Sequence, residues 1–368
     1  MSKTTSRMLL SPENIQQQTR ALWEVANPEA TPEFLDLYFQ RRYADERNVT
    51  VRHDGKVQAA VQVLPYKFLF GGKALSVGHL NGLCAEAGAQ QQQLTAELLR
   101  QAHRKMYEEG QLLSFFIPQD EKQRKAIEKE QLGSYWTATH RLLVPFDVPE
   151  NYRPDLNLDI LPETTLGREL WTFYNTFGGR HDYEVRHDRD SLETAIQAHL
   201  QEGGQLLVAR RRGKMVGFCL VIKQPRILKS GKPSKKDCYG HIRFMLTTDQ
   251  NVVYHFRRRI GELLEVNEVA VTGGCPGHGF KESKPYAMAR VIDVLGFLQF
   301  LGRVHPGLQL TVGIENDEDI PENNGYYELF EGEVRILEQR PDNVLTAGGL
   351  AALLLGSQPV QLPLMLND

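Results

Sequence analysis

The sequence predicts a mixed fold, α+β with α/β units, and three observations carry that prediction. Residues 73 to 118 read as strand, polar turn, amphipathic helix and a wholly apolar strand, a unit that packs a helix on a sheet. An order of helices followed by a strand meander occurs twice along the chain, which an internal duplication explains economically. After Gly279 the pattern changes again, to one helix-like run, several short strand-like runs and a last helix.

Taking the elements in order, Ser11-Pro12-Glu13-Asn14 and Thr31-Pro32-Glu33 are helix-initiating signals, each followed by apolar residues at helical spacing. Residues 49 to 70 alternate as strands around Asp54-Gly55, a hairpin dipeptide, and a second turn follows at Gly71-Gly72-Lys73. Lys73 to Ala85 is a strand of small and apolar residues, and Glu86 to Gln93 a polar turn. Leu94, Leu98, Ala102 and Met106 then recur every four residues, placing one helix face on the sheet. Gly110 predicts a left-handed helix end, and Leu112 to Ile117 a buried strand.

The second copy repeats the punctuation of the first. Asp54-Gly55-Lys56-Val57 is matched by Arg212-Gly213-Lys214-Met215, Gly72-Lys73 by Gly231-Lys232, and Val77-Gly78-His79-Leu80 by Tyr239-Gly240-His241-Ile242. Helices are expected at Leu166 to Phe177 and Asp190 to Leu200, and Asp249 is expected to cap another that holds Val252, Phe256 and Ile260. In the last third, Tyr286 to Leu295 reads as a helix, Leu308 to Ile314, Tyr326 to Phe330 and Val334 to Leu337 as strands, and Leu345 to Leu355 as the closing helix.

Composition narrows the function classes. With 43 Lys and Arg against 46 Asp and Glu, a net charge of −3 leaves no cationic excess for nucleic acid. The start of the chain lacks a signal-peptide pattern and no apolar run is long enough for a membrane span, so a cytoplasmic protein without membrane partners is expected. Cys84, Cys219, Cys238 and Cys275 are far apart, as expected of reduced thiols. Cys275-Pro276-Gly277-His278 is only half of a zinc spacing, and Gly274 to Lys281 misses the phosphate-loop pattern because Phe280 stands where Lys must. His181-Asp182, His187-Asp188 and Asp190 read as a solvated loop, and Arg210-Arg211-Arg212 and Arg257-Arg258-Arg259 as solvated charge. No metal is expected.

The stretch from Lys73 through Gln93 to Pro118, with the duplication and the Met288-Ala289-Arg290-Val291-Ile292-Asp293, Asp317 to Gly325 and Leu354-Leu355-Gly356 segments, resembles the Eis-type (enhanced intracellular survival) GNAT N-acetyltransferases. The resemblance implies two tandem acetyltransferase folds and a sterol-carrier-protein-like third domain, at residues 1–148, 149–280 and 281–368, with the central copy usually non-catalytic. It implies acetyl-CoA as cosubstrate, a primary amine of a small molecule or lysine as acceptor, and a homo-oligomer. By that pattern the coenzyme lies along the backbone of Leu83, Cys84 and Ala85 and at Gln90, Gln91, Gln92, Gln93 and Leu94. The glutamines stand where the family has arginine and glycine, and glutamine brings neither a positive charge nor glycine's close backbone approach. The general base falls on the terminal carboxylate of Asp368. The general acid falls on Lys129, in the place of a family tyrosine, or on the nearby Tyr135; a buried lysine can donate a proton at neutral pH. A non-catalytic descendant that has lost coenzyme binding is the alternative.

Overall fold

A computed structural model describes residues 12–146, 152–179, 182–227, 232–273 and 282–365. The first stretch holds helices α1 (Pro12–Ala26) and α2 (Pro32–Arg41), strands β1 (Asn48–His53), β2 (Lys56–Phe70) and β3 (Lys73–Ala85), helix α3 (Gln91–Glu108), β4 (Leu113–Phe116), α4 (Glu121–Lys129) and β5 (Trp136–Pro145). There follow β6 (Leu158–Glu163), α5 (Arg168–Phe177), β7 (Val185–Arg186), α6 (Arg189–Gln201), β8 (Gln205–Arg211), β9 (Lys214–Ile227), β10 (Pro233–Thr247), α7 (Gln250–Leu264) and β11 (Glu268–Thr272). The last are β12 (Glu282–Val291), α8 (Val294–Val304), β13 (Leu310–Ile314), β14 (Gly325–Phe330), β15 (Glu333–Leu337), β16 (Val344–Leu345) and α9 (Ala347–Leu355).

These elements form two compact units, one of the residues up to Ala138 with Ala287–Ser357, the other of Thr139–Tyr286 with the segment from Gln358. In the first unit β1, β2, β3, β4 and β12 are neighbours in a sheet. The β1–β2 and β2–β3 turns use left-handed residues at Asp54 and Gly55 and at Gly71 and Gly72, the signature of tight hairpins. β3 and β4 run parallel with α3 as their crossover. The apolar face of α3, from Leu94 through Leu98 and Ala102 to Met106, packs with Val61, Val63, Leu80 and Phe116. A separate four-stranded sheet orders β15, β14, β13 and β16, and α8 packs on it.

In the second unit β5, β11, β10, β9, β8 and β6 are neighbours. Its geometry repeats the first. Arg212 and Gly213 take the left-handed turn, and β10 pairs parallel with β11 from Gly240↔Val269 to Ile242↔Val271. Asp249 caps α7, its Oδ1 accepting from the Val252 amide at 3.2 Å.

One element differs in type from the sequence reading. Tyr286 to Leu295 is not a helix: β12 runs to Val291, and α8 begins only after Asp293, which caps it. The run of Ala and Met fits either period. What decides it is an antiparallel pairing of Met288 to Val291 with Phe116 to Leu113, a partner too distant in sequence to read.

Candidate functional site

The site is built where β3 outruns its neighbour. The β3–β4 ladder holds from Val77↔Leu113 to Leu80↔Phe116, where β4 ends, while β3 continues to Ala85. On its other side β3 bulges: Cys84 lies opposite Ala60 and Asn81 opposite Gln62, so Gly82 and Leu83 together face the single Val61. Gly82 takes φ +68°, and a Cβ there would stand 3.2 Å from the Trp23 ring. The bulge therefore needs glycine, and it reorients the backbone of Leu83, Cys84 and Ala85 along a stretch that β4 does not cover.

Six residues beyond Ala85, α3 begins. Gln90 is its N-cap without a side-chain capping bond, and Gln90, Gln91, Gln92 and Gln93 are exposed, while Leu94 is the first residue buried in the core. The Gln91 amide donates to the Gly88 carbonyl at 3.2 Å, and the next amides lack intrahelical acceptors, so the helix start presents N–H groups and the positive end of its dipole. The side chains add no charge. Gln92 Nε2 donates to Glu130 Oε2 at 3.0 Å, which brings a carboxylate to this end instead of a cation. The coenzyme residues proposed from sequence thus lie on two adjoining features, the bulged edge and the helix start.

The acid and base candidates fare differently. Lys129 closes α4 with its side chain 83% exposed, 3.5 Å from Glu130, so the burial on which its candidacy relied is absent. Tyr135 is buried, and burial pushes its phenol well above the ordinary range. Its hydroxyl is 2.9 Å from His103 Nε2 and 2.5 Å from Ser114 Oγ, and His103 Nδ1 is 2.7 Å from Asp319 Oδ2. Nδ1 also lies 3.2 Å from Arg290 Nη1, so the imidazole sits between a carboxylate and a guanidinium on one side and the Tyr135 hydroxyl on the other. Asp368 lies outside the described residues. Burial pushes the Cys84 thiol up to about 12 and so disfavours its thiolate.

Sequence reasoning missed His103, Ser114, Asp319 and Arg290. Arg290 is fully buried and donates to Asp317 at 2.7 Å, Asp319 at 3.2 Å and the Gly133 carbonyl at 2.9 Å. His103 sits beside Ala102 on the buried face of α3, so a polar residue in an apolar stripe was the available signal. Burial, then the Arg290 charge, push its imidazole down to about 4. The unfolded chain takes up that proton near pH 6.5, so below 6.5 it binds more protons than the folded chain, and stability falls as pH drops toward 4. The loss is on the order of 3 kcal/mol. His199, also held to about 4, acts in the same direction, and Glu184, raised to about 7 by burial, opposes both. The readout is therefore a difference: His103→Gln should flatten the fall of urea-unfolding stability between pH 6.5 and 4.5 relative to the parent.

The other polar clusters are structural. His187 is buried, with Nδ1 2.8 Å from Ser191 Oγ and Nε2 2.7 Å from the Pro363 carbonyl. Arg210 and Arg211 pair with Glu163, Glu169, Asp155 and Asp249, and Arg258 and Arg259 with Glu262. Among the described residues no group of three or more His, Cys, Asp or Glu is placed to hold a metal, and Cys275 to His278 lie outside them. In the second unit, β10 bulges at Arg243, just past its last pair with β11. The cleft there, about 200 Å³, is lined by Ile242 to Met245, Val271 to Gly273 and the chain's own Gln361 to Pro363. That copy's strand divergence is therefore partly filled from within.

Residues 9–123 match the profile of the acetyltransferase (GNAT) domain. No curated protein matches the sequence. Among solved structures, the chain is similar to a GCN5-related N-acetyltransferase from Anabaena variabilis at 14% identity and TM-score 0.68, covering 96% of this chain and 97% of that one. It is similar to Eis1 from Mycobacterium abscessus at 11% identity and TM-score 0.67, covering 94% and 88%. It is also similar to a conserved protein from Enterococcus faecalis described as a probable N-acyltransferase, at 14% identity and TM-score 0.66, covering 93% and 88%. At such identities the likeness is one of fold. The chain thus shares along nearly its whole length the fold of the GCN5-related N-acetyltransferase from Anabaena variabilis, and the acetyltransferase (GNAT) profile matches its N-terminal part.

Proposed function

We propose that this protein transfers an acetyl group from acetyl-CoA to a primary amine of a small molecule or a lysine side chain. The observation that carries the reading is the bulged edge of β3 from Asn81 to Ala85, which outruns β4 and leads to the open N-terminus of α3. Such an edge offers main-chain hydrogen bonds to an extended amide-containing arm, and the helix start offers N–H groups to a diphosphate. When bound, the coenzyme supplies a thioester-activated acyl group. The chain's own part is to hydrogen-bond the carbonyl oxygen from the backbone of Leu83, Cys84 or Ala85, and to move two protons. The Asp368 carboxylate takes one from the amine, and Tyr135, held by His103 and Ser114, is assigned as donor to the leaving sulfur in preference to the exposed Lys129.

The Gln90 to Gln93 run, with Glu130 beside it, favours a second reading, a GNAT-like scaffold without coenzyme binding. Calorimetric titration with acetyl-CoA separates the two. Heat and thermal stabilisation are expected, and their absence at millimolar coenzyme overturns the enzyme reading. Deleting Asn367-Asp368 should then lower turnover by about 10²-fold or more while leaving coenzyme affinity unchanged. Unchanged turnover removes the terminal carboxylate from the mechanism.

The finer assignments belong to the same proposal: an Eis-like chain with domains at 1–148, 149–280 and 281–368, the last sterol-carrier-like, assembled as a homo-oligomer in the cytoplasm. The separate β15-β14-β13-β16 sheet with α8 supports the last domain. Among the described residues Cys84, Cys219 and Cys238 are free thiols and no helix is long and apolar enough to cross a membrane.

A further inference from the structure

Arg42, just past the end of α2, is 6% exposed. Among the described residues its side chain hydrogen-bonds the Tyr66 hydroxyl at 2.8 Å, and its guanidinium carbon lies 5.5 Å from that ring's centre. Its Nε is buried without a partner, and no carboxylate oxygen of a described residue lies within ion-pair distance. A buried guanidinium is ordinarily neutralised by a carboxylate. The end of α2 offers only the partial negative charge of a helix C-terminus, and none of its carbonyls accepts from the guanidinium.

Two neighbours share the condition. The Tyr38 hydroxyl, one helical turn before Arg42, is buried without a partner in a residue 1% exposed. Gln62, 2% exposed, uses Oε1 to accept from the Ala44 amide at 3.4 Å, and its Nε2 is buried without a partner. Arg42 Nε and Gln62 Nε2 can only donate and the Tyr38 hydroxyl can donate as well, so an acceptor-rich, anionic group complements all three. Their place in the sheet says where it comes from. Gln62 pairs with Asn81, the first β3 residue beyond the last β3–β4 pair, and Tyr66 lies on the same face of β2, about 13 Å further along the strand. The donors therefore line the face opposite α3, running away from the bulged edge.

We propose that Arg42, with Tyr38, anchors the carboxylate of the acceptor and that Gln62 lies between this anchor and the bulged edge, so that the preferred amine is one separated by several bonds from a carboxylate. This rests on the acetyl-transfer reading for its catalytic consequence, though not for binding. Arg42 is a specificity-determining residue: a guanidinium fork holds a carboxylate in two parallel bonds, which orients the far amine toward the edge.

The test compares 6-aminohexanoate with hexylamine, which differ only in the carboxylate. With acetyl-CoA and thiol release as readout, kcat/KM should favour 6-aminohexanoate by at least about tenfold, and Arg42→Met should bring the ratio near one. Equal use of both amines, or a preference that survives Arg42→Met, overturns the proposal. Thermal unfolding without coenzyme reads binding separately: 6-aminohexanoate, and not hexylamine, should raise the parent's midpoint. Stabilisation without turnover leaves the anchor standing and removes the acetyl-transfer reading. No stabilisation at millimolar concentration overturns the anchor and marks the three donors as satisfied by water. Should Arg42→Met fail to fold, Gln62→Glu replaces it, and the added negative charge should abolish the carboxylate preference.

Discussion

Replacing Arg290 by methionine is expected to lower stability by about 3–5 kcal/mol, the cost of leaving a buried carboxylate without its cation. The Arg290 side chain is wholly inaccessible and that of Asp317 only 4% exposed, so water cannot take over the lost bonds. Asp317 is tied elsewhere too, accepting from Asn323 Nδ2 at 2.9 Å and the Ile320 amide at 3.2 Å, so it cannot turn outward. Urea unfolding of the variant reads the loss. Arg290→Met combined with Asp317→Asn should recover part of it, because the side-chain amide removes the stranded charge and keeps an acceptor for the Ile320 amide. A loss below about 1 kcal/mol in the single variant would show that the pair contributes nothing net.

Gly82→Val is expected to cost about 1–3 kcal/mol and to weaken acetyl-CoA binding together. A β-branched residue at φ +68° is strained, and its Cβ meets the Trp23 ring, so the chain escapes by flattening the bulge. That realigns Leu83 to Ala85 with β2 and removes the edge on which the proposed function depends. Gly213→Val is the control. It imposes the same strain at φ +76° in a hairpin turn where nothing lies within 4 Å, so it should cost stability without touching coenzyme affinity. If Gly82→Val binds coenzyme as well as the parent does, the bulge is not part of the site.

The duplication was legible because the glycines that mark it have a steric reason. A Cβ on Gly78 would stand 2.8 Å from Met106 of α3, and one on Gly240 3.0 Å from Ile260 of α7. Both positions lie where a helix crosses its strand, and both belong to a parallel pairing, with Ser114 and with Val269. Local turn chemistry was legible for the same reason at Asp54-Gly55 and Arg212-Gly213. What could not be read were partners brought together across the chain. His103 meets Asp319 216 residues away, and no local pattern announces it. The strand identity of Met288 to Val291 likewise comes from its pairing with β4. The candidate site divides along the same line: its backbone features follow from Gly82 and the helix start, whereas the hydroxyl, imidazole and guanidinium clusters emerge only on folding.

Strand β12 also sets an order of assembly. During synthesis β4 emerges long before Met288 to Val291 exist, so the nascent N-terminal domain carries a bare, apolar strand edge until the ribosome has made most of the chain. Such non-local closure makes folding slow and exposes a template for association meanwhile. A fragment cut after Ala138 would keep that edge for good. The segment that matches the GNAT profile, residues 9–123, thus lacks on its own the strand that covers β4 in the full chain.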